Sequence, residues 1–230
     1  MNRNSMDDAT LQADDAVRLA REHLSSAALS DALDELGLMY QIMDSHVRPL
    51  DESSVLCGRA RTGNFKDVYH ADESSDPYEL VITLVDSLRH GDVLVLACGR
   101  SGRIHPWGET QAVAAAMRGA AGCVTDGLVR DVSQIRALGL PSFSAGYGAI
   151  KLRGRGRLVA IDVPVSCGGV WVSPGDLVFG DVDGVIVVPR KVEDEVIQNA
   201  LERVEREREI VRELRRGVSI VELYRRYRTL

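Results

Sequence analysis

The order of elements between residues 93 and 145 constrains the fold more than any other feature of the sequence. Val93-Leu94-Val95-Leu96-Ala97 is an unbroken apolar run between the turn Gly91-Asp92 and a loop carrying Gly99 and Gly102. Such a run marks a strand buried on both faces. A small-residue helix is predicted over Thr110–Ala120, a short strand over Gly122–Thr125, a short helix over Val132–Leu138 with Gly139 as its stop, and another strand over Pro141–Ala145. Strand, helix, strand, helix, strand in this order requires a parallel β/α section with helices packed on the sheet.

The flanks read differently. Leu19, His23 or Leu24, Ala27, Leu29, Leu33 and Leu36 recur at helical spacing, which predicts a helix from about Ala16 to Leu36. Ser30 could restart it as an N-cap, and Gly37 could stop it. Residues 55–62 alternate like a strand. Asp76-Pro77 opens a second helix, to about Arg89, with the Asp as cap and the Pro at the first helical position. After Gly146 come short Val-rich runs at Arg157–Val163, Val170–Val172, Leu177–Phe179 and Val185–Val188, separated by Gly, Pro and Asp turns. These predict a β-meander or partial barrel. A charged helix from about Lys191 to Arg216 closes the chain, with Val192, Val196, Ala200, Val204, Val211 and Leu214 as its apolar stripe. The expected division is a tail over residues 1–15, one domain over 16–190, and C-terminal helices over 191–230.

Charge and cysteine usage exclude several classes of function. The net charge is −6 with no basic segment, so a nucleic-acid footprint is not expected. No apolar run approaches the ~18 residues needed to span a bilayer, and the polar N-terminus lacks the pattern of a signal peptide. A cytoplasmic protein without membrane contact is expected. Cys57, Cys98, Cys123 and Cys167 are far apart, with no Cys-x-x-Cys pair, and read as buried free thiols.

In β/α units, ligands gather at the C-terminal ends of the parallel strands. Two loops meet that rule here, residues 98–109 and 126–131, and a single helical crossover should set them side by side. The second ends in Arg130-Asp131. A guanidinium can bind a carboxylate or a developing enolate, and a neighbouring carboxylate can hold a hard divalent cation. The plain alternative is a solvated Arg beside an Asp that caps the helix beginning at Val132. Glu109 opens the preceding helix, where the free amides of Thr110 and Gln111 could receive a substrate carboxylate. It could equally be a helix-start Glu favoured by the dipole alone. His70, His90 and His105 show no metal-ligand spacing, although His105 lies in the first loop and could touch substrate. Arg100 and Arg103 in that loop could meet a second substrate carboxylate or be solvated charges. Trp107 reads as packing. The three lysines, Lys66, Lys151 and Lys191, lie away from the motif in sequence, which disfavours a Schiff-base aldolase.

Taken together, Trp107-Gly108-Glu109, Thr125-Asp126-Gly127-Leu128-Val129-Arg130-Asp131 and Leu138-Gly139-Leu140-Pro141 resemble the 4-hydroxy-4-methyl-2-oxoglutarate aldolase family, which also includes the regulator-of-ribonuclease-activity A proteins. Ser30-Asp31-Ala32-Leu33, Val163–Gly169, Pro174–Val178 and Asp183-Gly184-Val185 extend the resemblance over about residues 25–217. Catalytic members carry an acid, twenty residues, then Arg-Asp. Here Glu109 occupies the acid's position, where Asp is common in the family. The resemblance implies an α/β fold like the phosphohistidine swivelling domain: a β/β/α sandwich with a β-barrel-like core and outer helices. It further implies a divalent metal, Mg2+ or Mn2+, held directly by Asp131 and through water by Glu109. Arg130 would bind the 2-oxo group, and the amides of Thr110 and Gln111 the substrate carboxylate. A short 2-oxo acid would be cleaved to pyruvate through its enolate. It implies a homotrimer or homohexamer in which the C-terminal helices pack on a neighbouring subunit and supply a glutamate to its site. Glu207 is one candidate, with Glu205 and Glu209 beside it. The alternative within the same family is a non-catalytic regulator that binds a ribonuclease or another protein.

Overall fold

The computed structural model describes residues 15–71 and 76–228. The expected N-terminal tail lies almost wholly outside these residues. The helices are α1 (residues 15–23), α2 (Ser26–Glu35), α3 (Glu79–Asp86), α4 (Glu109–Met117), α5 (Val132–Leu138), α6 (Glu193–Arg215) and α7 (Ile220–Tyr227). The strands are β1 (Arg48–Pro49), β2 (Leu56–Asp67), β3 (Asp92–Ala97), β4 (Gly122–Thr125), β5 (Ser142–Ser144), β6 (Gly156–Ile161), β7 (Val165–Cys167), β8 (Val170–Val172), β9 (Leu177–Asp181) and β10 (Gly184–Val188).

Strands β2, β3, β4 and β5 run parallel, as the element order requires. The sheet continues in the order β1-β5-β4-β3-β2-β9-β10, with β6 also on β2 and a separate β7-β8 hairpin. At twelve residues β2 is longer than the predicted strand. Its first part pairs with β9 and its last part with β6, so one strand serves two antiparallel partners. The two ends of the sheet approach one another. Ile42 bridges Ile186, and Arg48 on β1 donates to the carbonyl of Asp183 beside β10, at 2.5 Å. The result is a nearly closed, barrel-like sheet with outer helices.

The alternation of side chains explains the continuous apolar runs. Val93, Val95 and Ala97 point to the barrel interior with Val124, Phe143, Val178, Val185 and Val187. Leu94 and Leu96 point outward, to a second core shared with Val81, Leu84, Ala112, Ala115 and Ile135 of α3, α4 and α5. On the far side Leu177, Phe179, Ile186 and Val188 pack against α1, α2 and α6. Both faces of the central strands are therefore covered.

Three expectations are corrected in detail. The first helix breaks at Ser25, not Ser30. Ser25 is extended and its hydroxyl accepts from the Ala28 amide, capping α2. Asp76 accepts from the Tyr78 amide in a turn before the helix but does not cap it, and Pro77 is not its first residue: the helix runs only from Glu79 to Asp86, with Tyr78 at the N-cap position. In α6 the buried apolar positions are Val196, Ile197, Ala200 and Ile210, whereas Val211 is exposed. The first half of α6 packs on α2 of its own chain, where Arg203 pairs with Asp31 and Glu35.

Candidate active site

Two loops leave the C-terminal ends of β3 and β4, and buried Asp126 fastens them together. Its carboxylate accepts from the amides of Cys98 (2.5 Å), Arg100 (3.2 Å) and Gly168 (3.3 Å). Further along, Trp107 bridges Val129 in parallel fashion and its carbonyl accepts from the Arg130 amide (3.1 Å). The predicted side-by-side placement is what the structure contains. Trp107 is buried packing, as expected, and its indole N–H donates to Ser142 Oγ (3.2 Å).

Asp131 occupies the N-cap position of α5 but does not cap it. Its backbone is left-handed, φ 57° and ψ 38°, and its side chain makes no cap hydrogen bond. The carboxylate instead turns toward the start of α4. Oδ2 accepts from Arg130 Nε (3.0 Å) and from the Glu109 amide (3.3 Å). A non-glycine residue in this conformation costs on the order of 1–3 kcal/mol, so the surrounding structure must hold it there. The helix-cap reading is thereby overturned. Both hydrogen bonds fall on Oδ2, which leaves Oδ1 open. Among the described residues the Arg130 guanidinium bonds only through Nε, so its two terminal nitrogens are open as well.

Gly108 makes this meeting sterically feasible. A Cβ there would lie 2.9 Å from Asp131 Oδ2 and 3.1 Å from Arg130 Cγ. Its backbone is extended, φ −162°, so space rather than conformation favours glycine. Because glycine has no capping side chain, the one side-chain acceptor at the start of α4 among the described residues is Asp131, on the Glu109 amide, and the amides of Thr110 and Gln111, at the cavity end of the helix, have no side-chain cap there.

Arg130, Asp131, Thr110 and Gln111 line one cavity of about 510 Å³. Its other wall is apolar, with Val81, Ile82 and Val85 of α3. Glu109 sits at the start of α4 with an exposed side chain, and only its neighbours on either side line the cavity. Glu207 is remote from this cavity within the chain and pairs with Arg203 at 3.1 Å. Glu205 and Glu209 pair with Arg208 and Arg212 on the same helix. Among the described residues, no three of His, Cys, Asp or Glu gather as a metal-ligand group.

Two residues of the cavity differ from the expectations. Lys151 was expected to lie away from the motif, yet it lines this cavity and also a second opening beside Arg130 and Asp131. The loop between β5 and β6 carries it there, twenty residues along the chain. Sequence distance therefore gives no ground for excluding lysine chemistry. Conversely, Arg100 pairs with Asp44 (2.7 Å) and Arg103 stacks on the Tyr69 ring (4.2 Å to its centre). Neither loop arginine reaches the cavity.

His105 also lines the cavity and is only 3 % exposed, and among the described residues neither ring nitrogen has a well-formed hydrogen bond. Burial pushes its pKa below the usual 6.5; a weak contact with the Arg103 backbone opposes the shift, and the Arg155 and Arg130 charges add to it. The folded state therefore resists the proton that the unfolded chain accepts below about pH 6.5. Stability is full above that pH and falls as the pH drops toward the lowered pKa. His105→Gln should flatten the difference between thermal melts at pH 7.5 and 5.5; an unchanged difference would remove this group from the account.

All four cysteines are free and buried. Desolvation pushes the Cys57 thiol up to about 12 and raises the other three. They should resist iodoacetamide at pH 8 in the native protein and react fully after denaturation, as counted by mass spectrometry.

A profile of the RraA-like family, described as Aldolase/RraA, matches residues 26–187. A putative 4-hydroxy-4-methyl-2-oxoglutarate aldolase of Halalkalibacterium halodurans is 35% identical over 179 residues, covering 77% of this chain and 78% of that protein. The crystal structure of an uncharacterized protein from Pseudomonas syringae pv. tomato superposes with a TM-score of 0.83 at 28% identity, covering 93% of this chain and 94% of that one. Streptomyces coelicolor RraAS2, described as an unusual member of the RNase ES inhibitor RraA protein family, superposes with a TM-score of 0.76 at 30% identity, covering 86% and 96%. The match spans most of the chain and includes both loops of the cavity: this protein belongs to the RraA-like, Aldolase/RraA family.

Proposed function

We propose that the protein is a divalent-metal-dependent carbon–carbon lyase that releases pyruvate from a short 2-oxo acid, either oxaloacetate or a compound resembling 4-hydroxy-4-methyl-2-oxoglutarate. The observation that carries this reading is the Asp131 carboxylate, turned away from its own helix and set beside the open guanidinium of Arg130 at the cavity wall. The aldolase name of the H. halodurans relative supports it.

The donor set fits Mg2+ or Mn2+, which take oxygen ligands and bind through one or two carboxylates with several waters retained. Asp131 Oδ1 would hold the ion directly, and Glu109 through water. When bound, the ion supplies Lewis-acid stabilisation of the 2-oxo oxygen. The amides of Thr110 and Gln111 hold the substrate's 1-carboxylate at the helix start. The terminal nitrogens of Arg130 donate to the 2-oxo oxygen as it gains negative charge on C3–C4 cleavage. In retro-aldol cleavage the 4-hydroxyl proton passes to a water held by Glu109, or by a C-terminal-helix glutamate of a neighbouring subunit in a homotrimer or homohexamer. Glu207 is the first candidate for that role, with Glu205 and Glu209 as alternatives. Oxaloacetate needs no such base, because loss of carbon dioxide leaves the same enolate.

The test is pyruvate release from oxaloacetate, corrected for the protein-free rate, with Mg2+ or Mn2+ and then with EDTA. Turnover should fall to background with EDTA and return on adding metal. Turnover that ignores EDTA, or none on a panel of 2-oxo acids, would overturn the lyase reading. The second outcome would favour a regulator that binds a ribonuclease, a reading motivated by the description of the S. coelicolor relative.

A further inference from the structure

The wall that α3 gives to the cavity is apolar, and the chemistry above makes no use of it. Tyr78, Val81, Ile82 and Val85 recur at helical spacing, so the N-cap and the turns after it present a single stripe to the cavity. Leu152, on the loop between β5 and β6, and Ala114 of α4 line the cavity as well. Val81 and Val85 are 4 % and 6 % exposed and belong to the core between the sheet and its outer helices. The wall is thus made by the packing of this chain itself and needs no neighbouring subunit to make it apolar.

The polar groups of the cavity are few and mostly committed. Arg130, Asp131 and the first amides of α4 serve the pyruvyl half of a substrate. Asp86 is paired with Arg118. The arginines that the sequence offered for a second carboxylate, Arg100 and Arg103, are engaged elsewhere. Lys151 stands on an exposed loop, where water screens its charge. A carboxylate set against Val81 and Val85 would lose hydration and gain no partner, whereas a methylene in the same place is favoured by burial. The cavity encloses about 510 Å³, of which pyruvate fills a small part. The short side chain of Ala114 keeps the space open on the α4 side.

We infer that the substrate beyond C3 is apolar: among compounds that resemble 4-hydroxy-4-methyl-2-oxoglutarate, the site favours those whose C4 carries an apolar group in place of the second carboxylate, with the α3 stripe as the specificity-determining wall. Cleavage breaks the C3–C4 bond, whose electron pair passes to the pyruvate enolate. The 4-hydroxyl gives up its proton and becomes the carbonyl of an apolar aldehyde or ketone, and the enolate takes a proton to give pyruvate. Oxaloacetate is short enough to react without touching the wall. The inference rests on the proposed placement of the pyruvyl half at Arg130-Asp131, but not on turnover.

The test is therefore a binding series. Calorimetric titration of the full-length protein in Mg2+ uses pyruvate, 2-oxobutanoate, 2-oxopentanoate and 2-oxohexanoate, which grow by one methylene at a time. It adds 2-oxoglutarate, which carries a carboxylate where 2-oxopentanoate has its terminal methyl. Affinity should rise about fourfold per methylene, the scale of burying one CH2 group. For the same reason 2-oxopentanoate should bind more tightly than 2-oxoglutarate, by about fourfold or more. Ala114→Leu, which fills part of the apolar space, and Ile82→Asp, which sets a charge on the wall, should each erase much of the rise, with circular dichroism as the fold check. An affinity flat along the series, a preference for 2-oxoglutarate, or a rise unaltered in both folded variants overturns the inference. Binding of none of the five, pyruvate included, overturns both the inference and the lyase reading. A rise with chain length in a protein that cleaves no 2-oxo acid leaves the inference standing, and the lyase reading alone fails.

Discussion

Arg130→Ala is expected to lower kcat/KM for pyruvate release by about 10²–10³-fold, the usual loss on removing one donor to a developing oxyanion. The far-UV circular dichroism spectrum should be unchanged. The fold should tolerate the change because the side chain is partly exposed and bonds only to Asp131 through Nε, while its backbone amide, which donates to the Trp107 carbonyl, is untouched. For Asp131 the informative substitution is Asn. The residue sits at φ 57°, a region Asn enters more readily than Ala, so Asp131→Asn changes charge while keeping the backbone. It too should lose about 10²-fold or more, and a higher metal concentration should recover part of the loss if the carboxylate is the direct ligand. The double variant should be little worse than the more damaged single one, since both residues serve one oxyanion. Near-wild-type turnover in either single variant would remove the pair from the chemistry.

The parallel section was legible because its signals are local and bounded. The predicted α5, Val132–Leu138, coincides with the observed helix because Gly139 ends it at φ 72°. The β3 run was readable because alternate residues face two different cores, so no position could be polar. Of the site, Arg130, Asp131 and the start of α4 were legible from strand-end placement, and the resemblance then supplied the roles assigned to them. Lys151 was not, because its approach depends on how the β5–β6 loop folds back on His105, a contact that has no local pattern. Nor was the rotation of Asp131. A helix N-cap and a strained αL aspartate carry the same letters, and only the neighbouring strand's loop decides between them. The stripe of α6 was misread at Val211 for a related reason. Over twenty-three residues small departures from ideal periodicity shift the buried face by one position, here to Ile210.

Gly108→Ala is the second substitution with a large expected effect, and it separates geometry from chemistry because no functional group is removed. The new methyl would meet Asp131 Oδ2 at 2.9 Å and the Arg130 stem at 3.1 Å. The extended backbone at φ −162° accepts alanine without strain, so the pair must give way. Swinging Asp131 aside breaks its bond from the Glu109 amide and moves the carboxylate relative to the amides of Thr110 and Gln111. A displacement on the order of 1 Å in a reacting constellation costs about 10²-fold in rate. The loss of glycine at an N-cap costs about 1 kcal/mol of stability. Turnover should therefore fall about 10²-fold while Tm drops by only a few degrees. Gly102→Ala, in the same loop with nothing within 4 Å of its Cβ, is the control and should leave both quantities near wild type. If Gly108→Ala keeps full activity, the Arg130-Asp131 pair tolerates displacement and cannot be the preorganised centre of the site. If it unfolds the protein instead, the close contact between the two loops belongs to stability rather than catalysis.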